Sequence, residues 1–218
     1  YIVMVDPIDG SSNIDVNGVI GSIFAVHDIS GSIDESLLQR GSEQIAAGYV
    51  MYGPATMLVY TTGRGVHSFV LDQEIGEFIL DQQDIRMPER GTVFSANLGN
   101  YTLWPQPVRI FTDRLMDVGE GPYALRYSGA LLADLHRVLF QGGIYYYPQD
   151  TRAPEGKLRL LYECAPLAML AEQAGGAATT GWGRIMDIDP SDIHQRTPFA
   201  VGSKYEVALY ERCVREAM

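Results

Sequence analysis

Asp6 and Asp9 stand three positions apart in the string Asp6-Pro7-Ile8-Asp9-Gly10-Ser11-Ser12-Asn13. On a proline turn, whose first and fourth α-carbons lie within about 7 Å, two carboxylates can share one hard cation or a pair of ions about 3.5–4 Å apart. Gly10 supplies a tight bend, and Ser11, Ser12 and Asn13 suit a helix N-cap. Unpaired backbone N–H groups there would fit a phosphate. Carboxylates for a metal beside a nest for an anion suggest metal-assisted phosphoryl transfer to water. The plain alternative is a surface turn, because Asp, Pro and Gly each favour turns for their own reasons. The element that must position this string precedes it. Tyr1–Val5 is an apolar, largely β-branched run that reads as a buried strand halted at Pro7.

The rest of the composition narrows the class. With 218 residues the chain can form one large domain or up to two ordinary ones. Its 46% hydrophobic and 20% charged residues are those of a soluble globular protein with a core. There is no apolar run of about 18 residues to span a membrane and no signal-peptide-like start. A net charge of −11 without any Lys/Arg run argues against a nucleic-acid partner. A phosphorylated substrate would have to be met by metal ions and a few local cations. Cys164 and Cys213, alone in so long a chain, suggest reduced thiols and a cytoplasmic setting. His27, His67, His136 and His194 lack metal-ligand spacing. No Gly-x-Ser-x-Gly elbow occurs. Gly63-Arg64-Gly65 is too short for a nucleotide loop.

Patterning then places the elements. Val19–His27 reads as a strand, and Ile45–Tyr52, Thr56–Thr62, Val66–Leu71 and Glu77–Leu80 read as further strands punctuated by Gly and Pro, an antiparallel meander. Gly31–Gly41 reads as a loop with a short helical turn at Glu35–Gln39. The character changes near Arg86–Gly91, beyond which strands alternate with helices as in an α/β layer. Thr92–Ala96, Ile144–Tyr147 and Phe199–Gly202 are expected strands. Val108–Val118, Gly129–Phe140, Lys157–Ala174 and Tyr205–Glu216 are expected helices, with a kink or break at Ala165 before Pro166. Alternation along Ile144–Tyr147 makes Tyr145 and Tyr146 packing residues.

The string Asp-Pro-Ile-Asp-Gly-Ser-Ser-Asn resembles the metal-binding signature of sugar phosphatases related to inositol monophosphatase, and its Ser-Ser-Asn ending resembles class I fructose-1,6-bisphosphatase. Lys157-Leu158-Arg159-Leu160-Leu161-Tyr162-Glu163-Cys164, followed by Ala171-Glu172-Gln173-Ala174-Gly175-Gly176, looks like the late helix of that family. The likeness covers essentially the whole chain. Leu98, where family members usually carry glutamate, and Tyr127-Ser128-Gly129-Ala130-Leu131 depart from the pattern. The resemblance implies a metal site of Asp6, the Ile8 carbonyl, Asp9 and Glu163 holding Mg²⁺, with Mn²⁺ or Zn²⁺ possible. Asp6, Asp9 and Glu163 would be catalytic, and Gly10, Ser11 and Ser12 would hold the reacting 1-phosphate. Asn97, Arg126, Tyr127, Tyr147 and Lys157 would bind the 6-phosphate end, with Arg126 reaching in from a neighbouring subunit.

The fold so implied is an α+β or α/β layered sugar-phosphatase fold. Residues 1–87 would be the C-terminal part of an incomplete metal-binding sheet domain, and residues 88–218 a smaller α/β substrate-binding domain. The activity implied is Mg-dependent hydrolysis of the 1-phosphate of fructose 1,6-bisphosphate by a homo-oligomer, a tetramer by resemblance. The rivals are sedoheptulose-1,7-bisphosphatase or dual activity, inositol-phosphate hydrolysis, and an inactive fragment that acts only in assembly. The family also implies an upstream helical segment and a pair of glutamates. Residues 1–218 are therefore expected to be part of a longer enzyme, poorly active alone, with one apolar face of the first sheet uncovered.

Overall fold

The computed structural model describes residues 1–32, 36–117, 119 and 121–216. Its first half is a six-stranded antiparallel sheet in sequence order: β1 (Ile2–Asp9), β2 (Ile20–His27), β3 (Gln44–Tyr52), β4 (Thr56–Thr61), β5 (Val66–Asp72) and β6 (Glu77–Gln82). The meander expected from the Gly- and Pro-punctuated runs is present. Register is set by alternation: Ile23, Ala47, Tyr49, Met51 and Val59 form one buried face, and a slip of one residue would turn them all outward. Val3, Val5, Phe24, Val26, Leu58, Tyr60 and Phe69 lie on the opposite face, exposed or half-buried. That apolar face matches the uncovered one expected.

The second sheet has five strands in the order β11–β13–β9–β7–β8. They are β7 (Val93–Ser95), β8 (Ala124–Leu125), β9 (Ile144–Tyr147), β11 (Ala177–Thr179) and β13 (Phe199–Gly202). β7 runs parallel to both β8 and β9, while β13 is antiparallel to β9 and β11. Both faces are covered, so its strands are apolar at successive positions rather than alternate ones. Tyr145, Phe199 and Val201 join the core shared with the first sheet. Ile144, Tyr146 and Ala200 pack with Phe111, Leu115 and Tyr210 on the far side. Those far-side residues belong to α1 (Gln106–Met116) and α4 (Lys204–Glu216). α2 (Leu131–Gln141) and α3 (Ala165–Gln173) fill the layer between the sheets. The result is a layered α+β fold. No described helix is long and apolar enough to cross a membrane.

Three expectations are corrected. β1 does not end at Val5 in a turn; it continues through Pro7 to Asp9. It is an edge strand, where proline's missing N–H breaks no ladder bond. Lys157–Ala174 is not one helix either. Leu158–Arg159 is a short strand (β10) paired with Arg196–Thr197 (β12), Leu160–Cys164 is a π-helical turn, and only then does α3 begin. Pro166 explains the change, since its ring would collide with the carbonyl of Tyr162 in an α-helix and a wider turn relieves that collision. α1 starts at Gln106 rather than Val108, with proline in its first turn, and Val118 lies outside the described residues. Glu35 of the expected short turn is likewise outside them.

Candidate active site

The acidic corner is made by two irregularities in otherwise regular elements. Residues three apart on a strand point to opposite faces. Between Asp6, opposite Ile23, and Asp9, opposite Gly21, the register shifts so that β1 carries one residue more than β2. This bulge returns Asp9 to the side occupied by Asp6. The bend is held locally: the Ile8 N–H donates to Asp6 Oδ1 at 3.2 Å, and the Ser22 hydroxyl donates to the Pro7 carbonyl at 2.7 Å. The second irregularity is the π-turn. It directs Glu163 toward the bulge, where the Arg159 N–H donates to Glu163 Oε2 at 2.5 Å.

One oxygen from each of Asp6, Asp9 and Glu163 lies within 4.8 Å of the others. Burial is the largest influence on all three, raising each carboxyl above its ordinary value. Asp9 is lifted to about 6, with repulsion from Asp6 and Asp134 opposing the Leu132 and Gly10 N–H groups. Glu163 is lifted to about 7, with Asp6 and Asp9 adding to burial against the Arg159 N–H. Three converging hard oxygens whose negative charge is costly fit a divalent cation, which would offset that cost.

Beside the acids the chain turns at Gly10, whose φ of +76° falls in the left-handed region. A Cβ there would stand 2.7 Å from the Cβ of Ala130, so no larger residue fits. Ser11–Val16 then forms a 3-10 helix whose N-cap is Gly10, one residue before the Ser-Ser-Asn run expected to cap a helix. The leading N–H groups of such a turn have no intrahelical acceptor, and Gly10, Ser11 and Ser12 line the cleft. Asp9 is anchored from the opposite side as well. The Leu132 N–H, in the first turn of α2, donates to Asp9 Oδ2 at 2.9 Å within the core.

A cleft of about 350 Å³ joins these groups to the second sheet. Its lining brings together Asp6, Ile8, Asp9, Gly10, Ser11, Ser12 and Glu163 with Tyr127, Tyr147 and Lys157. Lys157 is exposed, with Nζ 5.5 Å from the centre of the Tyr147 ring. The Tyr127 hydroxyl is pushed up to about 12, first by burial. Asn97 and Arg126 do not line the cleft. Asn97 caps the 3-10 helix Leu98–Leu103 by accepting from the Gly99 N–H, and the exposed Arg126 guanidinium donates to the Leu125 carbonyl at 2.8 Å.

Tyr145, Gly129, Leu131 and Leu158 also line the cleft, though nothing in the sequence reading selected them. For Tyr145 the signal was present: positions two apart on a strand share a face, so Tyr147 in the cleft implies Tyr145. Only Tyr146 is purely a packing residue. A separate apolar groove beside Trp182 holds about 50 Å³ and is lined by no charged residue.

Comparison with known proteins agrees along the chain. A model of the fructose-1-6-bisphosphatase N-terminal domain matches residues 1–83, and one of its C-terminal domain matches residues 87–215. The chain is 52% identical over 219 residues to a class 1 fructose-1,6-bisphosphatase of Nostoc punctiforme, covering 99% of this chain and 62% of the relative. It is also 52% identical over 221 residues to that of Synechocystis, covering 99% and 63%. A crystal structure of Leishmania major fructose-1,6-bisphosphatase in the T-state superimposes with a TM-score of 0.92 at 43% identity, covering 97% of this chain and 69% of that one. The chain thus spans somewhat less than two thirds of the length of these curated relatives.

Proposed function

The chain belongs to the fructose-1,6-bisphosphatase family, and from that premise we propose that the whole enzyme hydrolyses the 1-phosphate of fructose 1,6-bisphosphate, releasing fructose 6-phosphate and phosphate. One observation carries the reading. The carboxylates of Asp6, Asp9 and Glu163 face the same cleft as Lys157 and Tyr147, so an acidic end and a remote anion-binding end share one chamber. A bisphosphate can use both ends, whereas a monophosphate needs only one.

Asp6, Asp9, Glu163 and the Ile8 carbonyl would hold Mg²⁺. Bound there, the ion supplies charge neutralisation at the transferring phosphoryl group and lowers the pKa of water. The Gly10, Ser11 and Ser12 N–H groups would orient the reacting phosphate and stabilise charge that grows on its oxygens. Lys157 and the hydroxyls of Tyr127 and Tyr147 would bind the phosphate that stays on the sugar, so that binding energy far from the reaction fixes the reacting end. Asn97 and Arg126 lie outside this chamber, which suits a role for Arg126 in a neighbour's site within a symmetric homo-oligomer, a tetramer in our reading. The chain would divide near residue 87, where the first sheet gives way to the second. Mg²⁺ prefers six ligands and these acids supply few, so the 218 residues alone would be poor catalysts.

The test is phosphate release by the whole enzyme from fructose 1,6-bisphosphate, sedoheptulose 1,7-bisphosphate and an inositol monophosphate during a Mg²⁺ titration. The reading expects Mg-dependent turnover of the fructose bisphosphate well above that of the monophosphate. Equal turnover of the monophosphate would remove the two-ended chamber as the reason for specificity.

A further inference from the structure

α2 is led into by Tyr127-Ser128-Gly129-Ala130, and this short segment meets the cleft at several points. Tyr127 and Gly129 line its wall. Ala130 abuts Gly10 so closely that a Cβ at Gly10 would come within 2.7 Å of it. Two residues later the Leu132 N–H holds Asp9. No side-chain hydrogen bond from Ala130, at the N-cap, fixes the segment. Gly129 has a φ of +85°, a conformation with little steric preference to hold it.

Within the segment the Ser128 hydroxyl accepts from the Ala130 N–H at 3.2 Å and donates to the Ala130 carbonyl at 3.3 Å, and the side chain that ties the segment to α2 is Asp134, one turn in. Its side chain is buried, 3% exposed, and both oxygens accept from one N–H, that of Ser128, at 2.9 and 3.1 Å. A carboxylate taken out of water is costly unless paired; this one is met by Ser128 and Gly129 of the lead-in segment, and the Ser95 hydroxyl of β7 also favours its charged form. We propose that Asp134 is a positioning residue: by clamping the Ser128 N–H it holds Tyr127 and Gly129 in the cleft wall and seats Ala130 against the Gly10 turn. This rests on the reading of the cleft as the sugar-bisphosphate chamber. The role depends on the reach of the side chain more than on its charge.

Two mild variants separate reach from charge. Asp134→Asn keeps an acceptor oxygen at the same distance and loses the charge. Asp134→Glu keeps the charge and carries it one methylene too far. The whole enzyme with each substitution is assayed for KM and kcat with fructose 1,6-bisphosphate. Amide hydrogen exchange at Ser128 is measured on the 218-residue chain, where no activity is needed. Asp134→Asn should stay within about twofold of the wild-type KM with Ser128 still protected. Asp134→Glu should raise KM about tenfold, the scale of one lost hydrogen bond, with faster Ser128 exchange and a smaller change in kcat. A silent Asp134→Glu, an Asp134→Asn as impaired as the glutamate variant, or a raised KM with Ser128 still protected would overturn the proposal. Lack of turnover in the wild-type enzyme would count against the substrate reading alone, and the exchange comparison would still judge Asp134.

Discussion

The two ends of the cleft are built in opposite ways. At the acidic end Asp6, Asp9 and Glu163 meet only because regular structure is broken twice, by the bulge in β1 and the π-turn before α3. At the remote end Tyr145 and Tyr147 reach the cleft through plain strand alternation on β9, with Lys157 placed just before β10. Irregular backbone is costly and survives where surrounding structure enforces it. Here the enforcing groups are Ser22 on Pro7, the Leu132 N–H on Asp9 and the Arg159 N–H on Glu163. The acidic end should therefore be brittle to substitution and bear on the chemical step. The remote end should be graded and bear on binding.

The sharpest way to break that contrast is Asp9→Asn. In the whole enzyme at saturating Mg²⁺ it should lower kcat about a hundredfold or more, the scale of losing a key electrostatic group. Turnover near the wild-type level would make the two ends equivalent. Lys157→Ala should instead raise KM for the bisphosphate about tenfold, with a smaller fall in kcat reporting remote binding energy used at the reacting end. Unchanged kinetics would leave Lys157 on an idle surface.

A smaller effect follows from the raised carboxyls. In the metal-free chain Asp9 and Glu163 bind protons up to about 6 and 7 when folded, but only near their ordinary values when unfolded. The folded state thus holds more protons between these limits. The associated stability is present at low pH and is lost as pH rises through the folded values. Asp9→Asn removes part of this linkage. Its Tm, relative to wild type, should be higher at pH 8 than at pH 5 by a few degrees, on the order of 1 kcal/mol. Thermal scans of both proteins in chelator at the two pH values check it; a difference independent of pH would show that Asp9 carries no such cost.

The contrast also explains what could be read from residues alone. The meander and the packed central strands were legible because alternation and Gly/Pro punctuation report directly on which face is buried. Lys157–Ala174 was misread because an apolar helical pattern runs straight across a boundary. Pro166 marked the break but not the π-turn on its N-terminal side. Asp6 and Asp9 were found by their spacing, yet the bulge that unites them depends on pairing with Ile23 and Gly21 on β2. Asp134 and Leu132 could not have been found. Their contacts with Ser128 and Asp9 depend on how α2 lands on the first sheet, and spacing carries no record of that.

The central claim is that Asp6, Asp9 and Glu163 act as one site for a divalent ion. Mn²⁺ offers a spectroscopic stand-in, since binding attenuates the paramagnetic resonance signal of the free ion. Titrating Mn²⁺ into residues 1–218 should show attenuation with the wild-type chain that is largely lost in Asp9→Asn and equally in Glu163→Gln, although the two residues lie on different elements. Retention of wild-type binding by either variant would contradict the account.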